Sequence, residues 1–112
     1  MYDLDLLRAV HDMVIEAIAK RYNFEKPTTV LYADFYEINN LRNGKVVVHT
    51  SVITTIYDGG DIIVKIWNGN GSNNIIKINT LPDKLDTSIE KVLSTLTHIL
   101  ITRRMESFRD YK

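Results

Sequence analysis

The chain has 112 residues, 45% hydrophobic and 25% charged, and its 14 basic and 14 acidic side chains leave no formal net charge at pH 7. This length and composition fit one globular domain and exclude a disordered chain. The zero net charge gives no long-range attraction to a polyanion, and the absence of cysteine excludes disulfides, thiolate zinc sites and a cysteine nucleophile.

An amphipathic helix is predicted from Asp3 to about Tyr22. Apolar residues recur there every three or four positions, which is typical of a helix with one buried face. They are Leu6, Val10, Met13 and Ala17, with Leu7, Val14 and Ile18 beside them. A charged row on the other side is predicted to face solvent, since its members are i,i+4 neighbours; it consists of Arg8, Asp12, Glu16 and Lys20. Residues 23–28, with Pro27, end the helix.

Four β-strands are predicted in the middle of the chain, at 29–38, 45–57, 61–67 and 75–80, because these segments are rich in β-branched and aromatic residues. Asn43-Gly44, a pair favoured in type I′ hairpins, separates the first two strands, and Asp58-Gly59-Gly60 separates the next two. The tract 68–74 is predicted as a loop. Such short connections favour an antiparallel meander.

A long helix is predicted from about Thr87 to Phe108, with Thr87 and Glu90 at the spacing of a capping box. Its main apolar stripe, expected to pack on the sheet, consists of Ile89, Val92, Leu93, Leu96, Ile99 and Leu100. A second apolar row, Ile101, Met105 and Phe108, lies roughly a third of a turn away from the stripe. This helix is therefore expected to contact two partners.

These elements predict a single α+β domain over residues 1–112. Its architecture is an N-terminal helix, a four-stranded antiparallel β-meander and a long C-terminal helix, with both helices packed on one sheet face. Alternation sorts the strand residues into two sets, with the proviso that a bulge in the second strand would exchange them beyond it. An apolar set, expected under the helices, holds Leu31, Ala33, Phe35, Val46, Val48, Val52, Ile56, Ile62, Val64, Ile66, Ile76 and Ile78. A mixed set, expected on the opposite face, holds Tyr32, Asp34, Tyr36, His49, Ser51, Ile53, Thr55, Tyr57, Ile63, Lys65, Trp67, Ile75 and Lys77.

The mixed set suggests a surface for single-stranded nucleic acid. Aromatic side chains stack on any base, and lysine or arginine side chains bind phosphates. The predicted residues for stacking are Tyr32, Tyr36, Tyr57 and Trp67, and those for phosphate are Lys65, Lys77, Arg42 and Lys45. Packing of the same aromatic residues across strands or within a dimer is the alternative explanation, and no RNA-binding consensus motif is present.

A homodimer is also predicted, because the chain has more apolar surface than two helices can cover on one side of a sheet. The mixed set or the row Ile101, Met105 and Phe108 would form the interface. The alternative function is a protein-interaction or regulatory module without nucleic-acid binding, for example an inhibitor of viral or mobile-element origin.

No enzymatic activity, cofactor or metal site is predicted. His49 with Asp34 or Glu37 could act as an acid-base pair, but no nucleophile or oxyanion turn accompanies them. His11, His49 and His98 lie on three separate elements without the spacing of metal ligands. The predicted location is cytoplasmic, without a membrane partner, because no apolar stretch approaches roughly 18 residues and the N-terminal sequence is not that of a secretory signal.

Overall fold

A computed structural model describes residues 3–23, 25, 29–31, 35–43, 46–67 and 73–110, with side chains at all of these except 29–31, 39–43, 46–52 and 102–110. The described residues form two helices and five strands in the order α1 (Leu4–Tyr22), β1 (Thr29–Leu31), β2 (Phe35–Asn43), β3 (Val46–Asp58), β4 (Asp61–Trp67), β5 (Asn73–Ile78) and α2 (Leu85–Asp110). The predicted α+β class is confirmed.

Helix α1 begins and ends at the positions that its sequence predicts. The Asp3 carboxylate caps the helix by accepting a hydrogen bond from the Leu6 N–H at 3.0 Å. Asn23 ends it in the left-handed conformation, with φ of 56°. The buried stripe consists of Leu7, Val10, His11, Val14, Ile15 and Ile18. Leu6 and Met13, predicted in the apolar row, are each 38% exposed, because the stripe that faces the sheet is centred on His11.

The strands pair as an antiparallel sheet in the order β1-β2-β3-β4-β5. The first predicted strand is divided: its start is the three-residue β1, which pairs with β2, so the described sheet has five strands rather than four. A register shift between Asn39 and Leu41 makes β3 irregular opposite these residues. This is the kind of irregularity expected in a strand of 13 residues.

Both helices pack on one face of the sheet and on each other. The predicted stripe of α2 is confirmed: Ile89, Val92, Leu93, Leu96 and Ile99 are buried and Leu100 is partly buried in the same core as the α1 stripe. Tyr22 joins the two helices, because its hydroxyl donates to the Leu93 carbonyl at 2.7 Å and also contacts the Thr97 hydroxyl.

Two predicted turn and cap positions are wrong. Helix α2 begins at Leu85, so Thr87 lies inside the first turn instead of at the N-cap. The helix starts earlier because the Leu81 carbonyl accepts hydrogen bonds from the N–H groups of both Lys84 and Leu85. In the first hairpin Asn43 belongs to β2 and pairs with Val46, so it is not the central turn residue that was predicted, and Gly44 lies outside the described residues.

The β3-β4 hairpin turns within the predicted tract Asp58-Gly59-Gly60, and its turn has two residues. Asp58 pairs with Asp61 across it, and Gly59 and Gly60 have φ of 60° and 91°. Positive φ at both central positions is typical of a type I′ turn, and glycine adopts it without a steric penalty. The turn sets the hydrogen-bonding phase of the strands that follow.

Candidate interaction surface

The sheet face away from both helices, here called the open face, is built in rows across four strands. One row joins Phe35, Ile56, Ile63 and Lys77, and the next joins Glu37, Thr54, Lys65 and Ile75. Trp67 lies at the end of β4, opposite Asn73. These side chains share a face because residues two apart in a strand point the same way.

Exposure along the open face is uneven. Ile75 is 61% exposed, whereas Phe35, Ile56, Lys65 and Trp67 are half-buried. Ile63, in the row between Ile56 and Lys77, is only 5% exposed. The open face therefore presents apolar surface at Ile75 and, in part, at Phe35, Ile56 and Trp67.

The predicted division of the strands into faces is confirmed for β4 and β5 and wrong for the described parts of β2 and β3. Ile62, Val64, Ile66, Ile76 and Ile78 are buried under the helices, as expected. Four members of the mixed set also lie on the helix side, where they are buried or partly buried: Tyr36, Ile53, Thr55 and Tyr57. Two members of the apolar set, Phe35 and Ile56, consequently lie on the open face.

Sequence alternation could not have assigned this part of β3. The residues from Ile53 to Tyr57 hold an isoleucine and a threonine on either parity, so neither set is clearly more apolar. The pairing with β4 decides, because Ile53, Thr55 and Tyr57 lie opposite residues of β4 that are buried under the helices.

His11 is the centre of a polar cluster inside the core. Its side chain is completely buried, its Nδ1 lies 2.8 Å from the Thr55 hydroxyl, and its ring stacks on Tyr36 with centroids 5.1 Å apart. Burial lowers the pKa of His11 from 6.5 to about 4, against the opposing effect of the Asp12 carboxylate. The imidazole is therefore neutral near neutral pH, and the cluster has a structural role.

The structure separates the predicted stacking residues. Trp67 lies on the open face, but Tyr36 and Tyr57 point toward α1, where the Tyr57 hydroxyl donates to the Asp3 carbonyl at 2.8 Å. The prediction that these three share one surface is wrong, and Tyr32 lies outside the described residues.

The predicted phosphate and dimer residues are only partly described. Lys65 and Lys77 lie on the open face. Lys65 pairs with Ile75 and is two residues from Trp67, and Lys77 is in the row next to that of Ile75. Arg42, Met105 and Phe108 lie within β2 and α2, but their side chains are outside the description, as is Lys45 altogether. Ile101 on α2 is 56% exposed, and its assignment to a dimer interface stays a prediction.

Charges on the open face are of mixed sign. Lys77 pairs with Asp61 at 3.3 Å between Nζ and the carboxylate. Lys65 is half-buried in the same row as Glu37, and Asp58 ends the neighbouring strand. Among the described side chains, carboxylates slightly outnumber lysines, so this face does not attract a polyanion strongly.

The second feature of the surface is a two-stranded ribbon, formed by β2 from Asn39 to Asn43 and β3 from Val46 to Val52. These segments pair with each other, and among the described residues no third strand lies beside them. The β3 part of the ribbon spans about 20 Å at roughly 3.3 Å per residue. Sequence reasoning missed the ribbon, because strand length alone does not show where a neighbouring strand stops.

Comparisons with protein-family models, curated proteins and solved structures gave no match. Within the described part of the chain, no helix is long and apolar enough to cross a membrane. No group of three or more histidine, aspartate or glutamate side chains is placed to bind a metal among the same residues. The predicted cytoplasmic location and the predicted lack of enzymatic activity stay predictions.

Proposed function

We propose that the chain is a homodimeric protein-interaction module whose two copies meet through the open face and the adjoining ribbon. The observation that carries this proposal is the ribbon, which has no third strand among the described residues. A lone two-stranded hairpin is at best marginally stable in water. A second copy would supply the packing that the ribbon lacks within its own chain.

The ribbon's composition supports a protein partner. Its sequence includes five aliphatic residues, namely Leu41, Val46, Val47, Val48 and Val52. Aliphatic β-branched residues are stabilised in a sheet by packing against neighbours. A ribbon of this composition without a partner would be a site of aggregation.

The charges of the open face support a second copy as that partner. Positive and negative side chains are interspersed on it, with Lys65 and Glu37 in one row. In a two-fold symmetric dimer each patch meets its own copy, so a surface with both signs can pair its charges. A polyanion would meet the carboxylates as well as the lysines.

Single-stranded nucleic acid is the second candidate ligand, and a different observation favours it. From Ile38 to Tyr57 the sequence contains Arg42 and Lys45 but no aspartate or glutamate, so the ribbon is a cationic segment in a neutral chain. Trp67, with Lys65 two residues away on the same face, could stack a base beside it. The loss of Tyr36 and Tyr57 from this face makes the stacking surface smaller than predicted.

Light scattering coupled to gel filtration tests the dimer at micromolar concentration. Trp67→Glu should produce monomers, because it would bury another negative charge in an interface that already holds carboxylates. Met13→Glu is the matched control, since Met13 is an exposed apolar residue on α1, away from the open face. Ile101→Glu distinguishes the open face from the exposed side of α2 as the interface. If this variant alone were monomeric, the interface would lie on α2. A monomeric wild-type chain would reject the proposal.

Fluorescence anisotropy with labelled single strands at several salt concentrations tests the second candidate. Phosphate contacts give an affinity that falls linearly on a log-log plot against salt. Trp67→Ala should weaken binding, and Arg8→Ala, an exposed change on α1, should not. Absence of binding at low salt would reject the nucleic-acid function and leave the protein-interaction function.

A further inference from the structure

A groove of about 500 Å³ lies between the outer edge of β5 and helix α2. Ile75 and Lys77 line it on the strand side, and Lys91, Ser94 and Thr95 line it on the helix side. The groove lies beside the sheet, although the side chains of Ile75 and Lys77 also belong to the open face.

Strand β5 is the last strand of the sheet. In the described part of the chain it is hydrogen-bonded to β4 alone, and no described backbone hydrogen bond reaches its outer edge. An unpaired edge presents a row of N–H and carbonyl groups that another strand can join.

The hairpin at Gly59-Gly60 identifies which backbone groups point outward. In a two-residue hairpin the closing residues, here Asp58 and Asp61, form a hydrogen-bonded pair, and such pairs then alternate along the ladder. Residues 61, 63 and 65 therefore direct their backbone groups to β3, and residues 62, 64 and 66 direct theirs to β5.

The same alternation extends to β5. Residues 62, 64 and 66 pair with Ile78, Ile76 and Asn74. The N–H and carbonyl groups of these three β5 residues are therefore hydrogen-bonded to β4. The N–H and carbonyl groups of Ile75 and Lys77 point away from the sheet into the groove. An incoming strand would find donors and acceptors at the spacing of a regular ladder.

The charges of the groove favour an acidic occupant. Glu90 on the groove wall is paired with Arg21 of α1, and Lys77 is paired with Asp61. Lys91 is exposed and makes no ion pair with any described residue. The unneutralised charge of the groove is therefore positive.

We infer that the groove binds an extended, acidic peptide segment of a partner protein, which joins β5 as an additional strand against α2. The peptide's backbone pairs with the edge groups of Ile75 and Lys77. An aspartate or glutamate side chain of the peptide pairs with Lys91. This is strand addition, a common mode of peptide recognition in which backbone hydrogen bonds provide affinity and side-chain contacts provide specificity.

Selection from a displayed library of random peptides of about eight residues, with the full chain as bait, supplies the probe. We expect enrichment of peptides with β-branched residues and at least one aspartate or glutamate. Failure to enrich any peptide would overturn the inference, because such a library samples the proposed class of ligand.

The enriched peptide, labelled for fluorescence anisotropy, then tests the edge. Ile75→Pro removes the outward N–H of residue 75 without touching the ladder to β4, a position at which edge strands tolerate proline. It should weaken binding about tenfold, as expected for one backbone hydrogen bond. Ile75→Ala keeps the N–H and is the matched control, with a smaller effect expected. Equal affinity of the proline variant and wild type would overturn the inference.

Lys91→Glu provides a test that leaves the strand unchanged, in case the proline variant unfolds in a thermal melt. It should weaken binding of the acidic peptide at least about tenfold, whereas Lys20→Glu, the same charge change on the exposed face of α1, should not. Equal effects of the two would overturn the inference. Light scattering separates it from the homodimer: Lys91→Glu, on the α2 side of the groove and away from the open face, should leave the dimer intact, and a switch to monomers would show that a second copy occupies the groove instead.

Discussion

Acid should destabilise the fold through His11. The native pKa of this buried imidazole is lowered to about 4, while an unperturbed histidine has a pKa of 6.5. Between these values the unfolded chain binds a proton that the native chain excludes, so the free energy of unfolding falls as the pH falls through this window. Below about 4 both states are protonated and the loss is complete. At about 1.36 kcal/mol per pKa unit, the total is about 3 kcal/mol.

Urea denaturation of wild type and His11→Gln at about pH 7 and about pH 4 measures this loss. Wild type should lose about 3 kcal/mol more than the glutamine variant over this range, because only wild type carries the titrating group. His98→Gln is the matched control, since it makes the same substitution at an exposed position of α2.

Nuclear magnetic resonance gives the decisive result. The His11 imidazole of the native protein should titrate with a midpoint near 4. A midpoint near 6.5, or the same loss of stability in the glutamine variant as in wild type, would refute the assignment of a buried, neutral His11 between α1 and the sheet.

Three further predictions concern the fold. Gly60→Ala should lower the free energy of unfolding by about 1 to 2 kcal/mol, because a side chain is strained at its φ of 91°. Gly59→Asn should be nearly neutral, because asparagine tolerates a φ of 60°. Equal losses of unfolding free energy in the two variants, measured by urea denaturation, would contradict the type I′ turn. Leu96→Ala should cost about 2 to 5 kcal/mol because Leu96 is completely buried, and a loss below about 1 kcal/mol in thermal unfolding would place it outside the core. Asp3→Ala should cost about 1 kcal/mol by removing the helix cap; Asp5→Ala is its control, and circular dichroism during urea unfolding should rank the two.

The candidate surface could be predicted only in part. Trp67 and Lys65 could be assigned to the open face because one parity of β4 is purely aliphatic, at Ile62, Val64 and Ile66, whereas the other holds Lys65 and Trp67 beside Ile63. Tyr36 and Tyr57 were misplaced, because an aromatic residue with a polar group suits a wet face and a partly buried one equally well. The groove beside β5 could not be predicted, because it depends on where a helix lies relative to a strand edge.

The sequence by itself determined the elements and their order. Periodic apolar residues defined α1 and α2, and the glycine pair at 59 and 60 defined a hairpin, since both signals arise from neighbours along the chain. Only the tertiary structure decided which parity of β2 and β3 is buried, because the choice depends on their register with β4, whose Ile62, Val64 and Ile66 face the helices. Local patterns report local geometry, whereas the faces of this sheet are assigned by contacts between residues far apart in sequence.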